Sequence, residues 1–325
     1  MIALGIEATA HTFGIGIVNE KKILANVKRQ YTNLDKGIIP NEAAEFLKKV
    51  KDEVLENALM EAKLKLEDID LIAFSKGPGM PLSLHVGKNF AKELALKYKK
   101  PLIGVNHLIG HLEIGKFLTK VKDPVFILAT GANTQIIAFE GEKYRIFGEC
   151  LSIGIGNAFD KFGRDIGLGF PSGAKIEELA KKGKYVELPY VVKGMDVEFS
   201  GIVTRAIQLY NDGEKKEDLC YSLQETCFAM LTEVSERAMA HTNKKELLLI
   251  GGVAANKRLI SMLETMCRER KAKFNVVPLI YSGDNGVQIG ITGLLEGKNK
   301  KFDKKEIEDI DINPRWRINE VEIKY

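Results

Sequence analysis

The chain has 325 residues, 45% of them apolar and 28% charged, with 48 basic against 44 acidic side chains and a net charge of +4. That length and apolar content suit two domains or one large duplicated one, and the mildly basic pI of about 8.6 permits a nucleic-acid partner without arguing for one. No run of about 18 uncharged apolar residues exists, so no membrane partner is expected, and the apolar N-terminus, interrupted by Glu7 and His11, lacks the basic region and cleavage site of a signal peptide. Cys150, Cys220, Cys227 and Cys267 are scattered with no CxxC pair, which suits a reducing cytoplasm. Cys220 and Cys227 fall at helical spacing in an apolar pattern and read as core residues.

In chain order, residues 2–6 and 13–18 read as a hairpin around the polar turn "EATAHT", with a third strand at 23–30. Residues 42–62 carry apolar side chains at helical spacing. "DIDLIAFSKGPGM" reads as a strand entering a glycine-proline turn, followed by a helix over 83–98, the strand "PLIGV" and a helix holding "VNHLIGHLEIG". A second cycle starts near Pro124. "PVFILAT", the turn "GANT", "QIIAFE" and "EKYRIFGEC" repeat the hairpin-plus-strand opening. Helix 218–241, strand 246–251, helix 256–270, strand "AKFNVV" and helix 284–296 follow. The repeat predicts a duplicated α/β fold with a first lobe over 1–122, a second over 123–297, and the charged tail 298–325 packing back onto the first.

Four glycine-rich turns lie at strand ends or helix starts, at 75–88, 129–135, 154–178 and 251–259. Backbone N–H groups at such turns bind anions, because glycine lets the backbone approach. None matches GxxxxGK[ST] or GxGxxG, so neither a P-loop nor a dinucleotide fingerprint is supported.

His107 and His111, four apart on a helix, lie on one face and can reach a single ion. A zinc peptidase would carry HExxH. Here Leu108 stands where the general base must be. Glu113, two residues past His111, points roughly 200° round the helix, as a solvated or structural carboxylate.

Eight ordered stretches, "GIEATAHTFGIGIV", "GPGMPLSLHVGKNFAK", "VNHLIGHLE", "TGANTQ", "SIGIGNAFDKFGRDIGLGFPSGAKIE", "KGMDVEFSG", "GGVAANKRL" and "YSGDNG", resemble the tRNA threonylcarbamoyladenosine transferase family, and most of all its archaeal and eukaryotic branch, the catalytic subunit of the KEOPS complex. The resemblance covers essentially the whole chain. It implies an actin-like, sugar-kinase-like ATPase fold (the ASKHA class) with two lobes around a nucleotide cleft. It also implies transfer of the threonylcarbamoyl group from threonylcarbamoyl-AMP to the exocyclic amine of adenosine 37 in tRNAs reading ANN codons, with release of AMP.

The resemblance further implies one divalent metal, iron or zinc, held by His107, His111 and Asp284. A helix N-cap is the plainer reading of Asp284. Leu128 stands where relatives supply a tyrosine ligand. By the same resemblance the adenine nucleotide, whether the acyl-adenylate, ATP or AMP, is met by the turn Leu128, Ala129, Thr130, Gly131 and Ala132, by Asp160, by Gly173 and Glu177 at the ribose, and by Asn256. The plainer reading of Asn256 is again an N-cap. No general base can be named; the candidates are His11, Lys161 and Glu7. "IPNEAAEFL" (39–47) replaces three histidines and an arginine of the family pattern. The implied partners are tRNA and KEOPS subunits, including a small atypical protein kinase, and the implied location is the cytoplasm. Two other readings stay open: a sugar-kinase-like ATP phosphotransferase, and a degenerate nucleotide- or metal-binding scaffold subunit.

Overall fold

The computed structural model describes residues 1–32 and 38–325. The chain divides into two compact units, Met1–Phe117 with Asp284–Tyr325, and Leu118–Gly283.

The first unit begins with strands β1 (Ile2–Glu7), β2 (Thr12–Asn19) and β3 (Ile23–Gln30), followed by helix α1 (Pro40–Ala62), β4 (Leu71–Gly77), α2 (Pro81–Tyr98), β5 (Leu102–Asn106) and α3 (His107–Thr119). The sheet order is β3-β2-β1-β4-β5. The first three strands are antiparallel, whereas β1–β4 and β4–β5 pair in parallel.

The second unit repeats this plan. Strands β6 (Val125–Ala129), β7 (Thr134–Glu140) and β8 (Lys143–Glu149) are antiparallel. Helices α4 (Ile155–Asp165) and α5 (Gly173–Ala180) follow, then a short hairpin of β9 (Val192–Lys193) and β10 (Asp196–Val197), and helices α6 (Ser200–Asn211) and α7 (Lys216–Thr242). After β11 (Glu246–Ile250) come α8 (Lys257–Glu269), β12 (Lys273–Val276) and the one-turn α9 (Leu279–Ser282). The order β8-β7-β6-β11-β12 matches that of the first sheet, with β6–β11 and β11–β12 parallel. The duplication read from the two hairpin openings is therefore a duplication of topology. Cys220, Cys227 and Cys267 lie in this unit's core. Burial, helped by the nearby Glu217 carboxylate, pushes the Cys220 thiol up to about 12.

Helix α10 (Gly286–Glu296) returns to the first unit, followed by α11 (Lys304–Asp309) and the tail. This corrects the expected lobe boundary at 297: the second unit ends at Gly283. The cause is the alternation of side chains in the first hairpin. Leu4, Ile6, Phe13, Ile15 and Ile17 point into one core with α1 and α2. The opposite face carries Gly5, Gly14 and Gly16, and α10 lies against it. A Cβ on Gly5 would stand 2.2 Å from Gly286 O and Gly290 N, and one on Gly16 would stand 2.2 Å from Val287 N. Only glycine on both surfaces lets the helix backbone sit directly on the strands.

The tail is tied to the same unit. Asn313 N donates to Lys76 O at 2.8 Å, and Lys88 pairs with Asp311 at 2.8 Å. No helix among the described residues is long and apolar enough to cross a membrane.

Candidate metal centre and nucleotide cavity

In the first unit β5 runs without a linker into α3. Asn106 Oδ1 accepts from Leu108 N at 3.0 Å and Ile109 N at 3.2 Å, capping the helix and setting His107 in its first turn. His111 follows one turn on. The two Nε2 atoms stand 3.2 Å apart. Asp284 Oδ1 lies 3.4 Å from His111 Nε2 and 3.6 Å from His107 Nε2. These three side chains offer ligand atoms within 4.8 Å of one another. Asp284 is not the cap of α10: Asn285 Oδ1 accepts from Gln288 N at 3.1 Å and takes that role. The Asp284 carboxylate is thereby left to face the histidines, at a position set by the glycine contact of α10 with β1 and β2.

Behind the histidines lies Glu7, fully buried at the end of β1. Its Oε2 is 2.9 Å from His107 Nδ1, and its Oε1 accepts from Thr9 N at 2.7 Å and from the Thr9 hydroxyl. Burial opposes charge on His107, but the Glu7 carboxylate beside it, with Asp284, outweighs this and raises its pKa to about 9. Burial dominates at His111 and lowers it. At Asp284 burial pushes upward, but the His111 hydrogen bond and the His107 charge win, holding the carboxyl well below its usual range. Two imidazole nitrogens and a carboxylate oxygen converging on one point, with the far side of one ring held by a carboxylate, form a donor set that could hold one divalent metal ion.

In the second unit a cavity of about 350 Å³ opens among the turn after β6, α4, α5 and the start of α8. Gly131, Asp160, Gly173, Glu177 and Asn256 all line it, together with Gly252. The 130–133 turn is closed by Thr130 N donating to Asn133 O at 2.8 Å, and α4 is docked on it through Asn157 N to Gly131 O at 3.0 Å. Asp160 Oδ1 accepts from Ser172 N at 2.7 Å, and burial raises its pKa. Glu177 accepts from Lys257 N at 2.9 Å. Asn256 caps α8, its Oδ1 accepting from Arg258 N at 2.9 Å and Leu259 N at 3.2 Å while its Nδ2 donates to Gln224 at 3.0 Å. Its polar atoms are thus spent on structure even as it faces the cavity.

The remaining expected residues divide. Leu128 and Ala129 are fully buried in β6, where Leu128 pairs with Gln135 and Ile250. Thr130 and Ala132 belong to the closed turn but are not among the lining side chains. Lys161 is exposed on α4 and does not line the cavity. His11 Nδ1 is buried with no hydrogen-bond partner among the described residues. Glu113 is 3% exposed and pairs with Lys116, so it is structural rather than solvated. Sequence reasoning missed Gln288, whose Nε2 lies 3.2 Å from His107 Nδ1, and the capping role of Asn285. The signal for both is the "DNGVQ" run itself, where Asp, Asn and Gln share the entry to one helix.

Solved structures share the fold. HypF from T. kodakarensis matches over 90% of this chain and 47% of its own, with a TM-score of 0.62 at 16% identity. The (R)-2-hydroxyglutaryl-CoA dehydratase component A of Acidaminococcus fermentans matches over 92% of this chain and all of its own, with a TM-score of 0.56 at 14% identity. The fold is that of the duplicated actin-like ATPases and sugar kinases.

The family model for TsaD, tRNA N6-adenosine threonylcarbamoyltransferase, matches residues 22–291. The enzyme of that name from Thermococcus sibiricus is 53% identical over the whole of both chains, and that from Thermococcus kodakarensis is 53% identical over 99% of each. A probable bifunctional tRNA threonylcarbamoyladenosine biosynthesis protein of Methanocaldococcus jannaschii is 47% identical over all of this chain and 60% of its own. The chain belongs to the tRNA N6-adenosine threonylcarbamoyltransferase family.

Proposed function

We propose that this protein transfers the threonylcarbamoyl group of threonylcarbamoyl-AMP to the exocyclic N6 of adenosine 37 in tRNA. The observation that carries the reading is full-length identity of 53% to enzymes of that name, joined to retention of a convergent His/His/Asp set. The amine attacks the carbamoyl carbon, the bond to the phosphate oxygen breaks, AMP leaves and the amine loses a proton. An aromatic exocyclic amine is a weak nucleophile, so positioning supplies much of the rate, and the adenine must leave its stack to react.

His107, His111 and Asp284 would hold one divalent ion, iron or zinc. Such an ion would supply a Lewis-acidic positive charge able to stabilise negative charge developing on oxygen. Glu7, committed to Thr9 and His107, orients a ligand rather than moving a proton. His11, with its unpartnered Nδ1, remains the candidate for proton handling.

The cavity of the second unit takes the adenylate. The Gly131 turn offers backbone N–H groups to the phosphate, and the Glu177 carboxylate suits two ribose hydroxyls. KEOPS-type subunits, including a small atypical kinase, would help present the tRNA in the cytoplasm.

The test is to mix the protein with those partners, threonylcarbamoyl-AMP and unmodified tRNA, and to assay the modified nucleoside by mass spectrometry. Its absence, with active partners verified, would sink the reading. Leu128 in place of the tyrosine ligand favours a second reading, a scaffold subunit. Stoichiometric binding of an AMP analogue without turnover in the full complex would support it.

A further inference from the structure

We propose that Glu7 is a positioning residue for the metal centre. It accepts the Nδ1 proton of His107, and so fixes the tautomer and ring orientation that turn Nε2 toward the ion. This rests on the reading of His107, His111 and Asp284 as metal ligands.

Three observations carry the inference. First, Glu7 is fully buried, and among the described residues its carboxylate is met by Thr9 N, the Thr9 hydroxyl and His107 Nδ1. A buried carboxylate without donors is costly, so the ring must present N–H to it. Second, a ring that binds a metal through Nε2 is neutral and keeps its one proton on Nδ1. His107 Nε2 is the atom 3.2 Å from His111 Nε2 and 3.6 Å from Asp284 Oδ1. Third, the carboxylate cannot swing away, because its other oxygen is held by the β1–β2 turn through both groups of Thr9. The amide nitrogen of Gln288 also lies 3.2 Å from His107 Nδ1. It would need a lone pair there, and the charge-assisted bond to Glu7 outcompetes it. The Asn285 amide donates to Gln288 Oε1 at 3.3 Å, which holds Gln288 beside the ring as packing.

The arrangement makes the end of β1, braced by the turn after it, part of the candidate metal site. In an actin-like fold that hairpin tip would otherwise be read as phosphate-facing. Here the acidic residue at the strand end faces inward, toward a ligand.

The test uses the full-length protein with zinc or cobalt(II) as the probe. Metal affinity is measured by competition with a chelator, and cobalt(II) absorption reports ligand geometry. Glu7→Gln should weaken metal binding about 10- to 100-fold and change the cobalt spectrum, while the metal-free melting temperature shifts little. Thr9→Val, which frees one side of the carboxylate, should weaken binding severalfold. Should Glu7→Gln fail to fold, nitrogen-15 NMR of the zinc-loaded wild type decides alone. The proposal requires protonated Nδ1 and zinc-ligated Nε2 on His107; the reverse tautomer overturns it. Unchanged affinity and spectrum in Glu7→Gln would also overturn it while leaving the metal centre intact. If the wild type binds no metal, or His111→Ala binds as tightly as the wild type, the ligand assignment itself falls.

Discussion

The candidate metal centre of the first unit and the cavity of the second are built by opposite means. The first is an assembly of side chains. Glu7, the His107 and His111 pair, and Asp284 come from three places in the chain and converge within hydrogen-bond or ligand distance. The second is largely backbone. A closed glycine turn, two helix starts and Gly252 shape a space, and the polar side chains at its wall, Asn256 above all, are already occupied in holding that wall together. A side-chain site is lost by deleting one group, whereas a backbone site degrades gradually.

The largest effect expected from that contrast is at His111. His111→Ala removes one of the two candidate nitrogen ligands and should abolish threonylcarbamoyl transfer in the reconstituted assay; a fully active variant would remove the metal from the mechanism. Next is Gly16→Ala, which drives a Cβ to 2.2 Å from Val287 N. It should cost about 1–3 kcal/mol in urea unfolding and weaken metal binding, because α10 carries Asp284. Unchanged stability would show that α10 yields without cost.

In the second unit, Glu177→Gln should raise the dissociation constant for AMP about tenfold, or about 1.4 kcal/mol, with metal affinity unchanged; calorimetry reads both. Unaltered AMP affinity would take Glu177 out of the site. Asn256→Ala should show the smallest functional effect. It loses a helix cap worth about 1 kcal/mol in thermal unfolding, and nucleotide affinity falls less than in Glu177→Gln. A larger binding loss than stability loss would make Asn256 a direct contact after all.

The same contrast governs how much could be read in advance. The two histidines were legible because a rare residue type recurs at helical spacing, and Leu108 alone was enough to exclude peptidase chemistry. The duplicated hairpin-plus-strand pattern was legible because alternation marks strands directly. Asp284 and the cavity residues entered only through family resemblance: no local pattern links a residue after position 280 to one near 110, and backbone donors leave no residue signature.

The lobe boundary was misplaced for a related reason. Helix α10 follows the second unit in sequence, and its destination is encoded by glycines on a different element, the alternate positions of β1 and β2. In "GIGIV" those glycines look like loop material, yet they are a docking surface. Glu7 was read as a catalytic candidate because it stands at a hairpin tip. Its carboxylate points inward, and only coordinates reveal its partner. The Cys220–Cys227 pair and the buried Glu113 show how limited residue type is as a guide: the cysteines are core as expected, while the glutamate, expected to be solvated or structural, is buried with a lysine partner.

The central claim is that this chain, through its metal centre and adenylate cavity, moves an acyl group from AMP to tRNA. The most direct measurement is the amount of N6-modified adenosine formed per AMP released when the protein, its partner subunits, threonylcarbamoyl-AMP and unmodified tRNA are combined. The account predicts one modified nucleoside per AMP with wild-type protein and none with His111→Ala. AMP release without modified nucleoside, or equal product from both proteins, would contradict it.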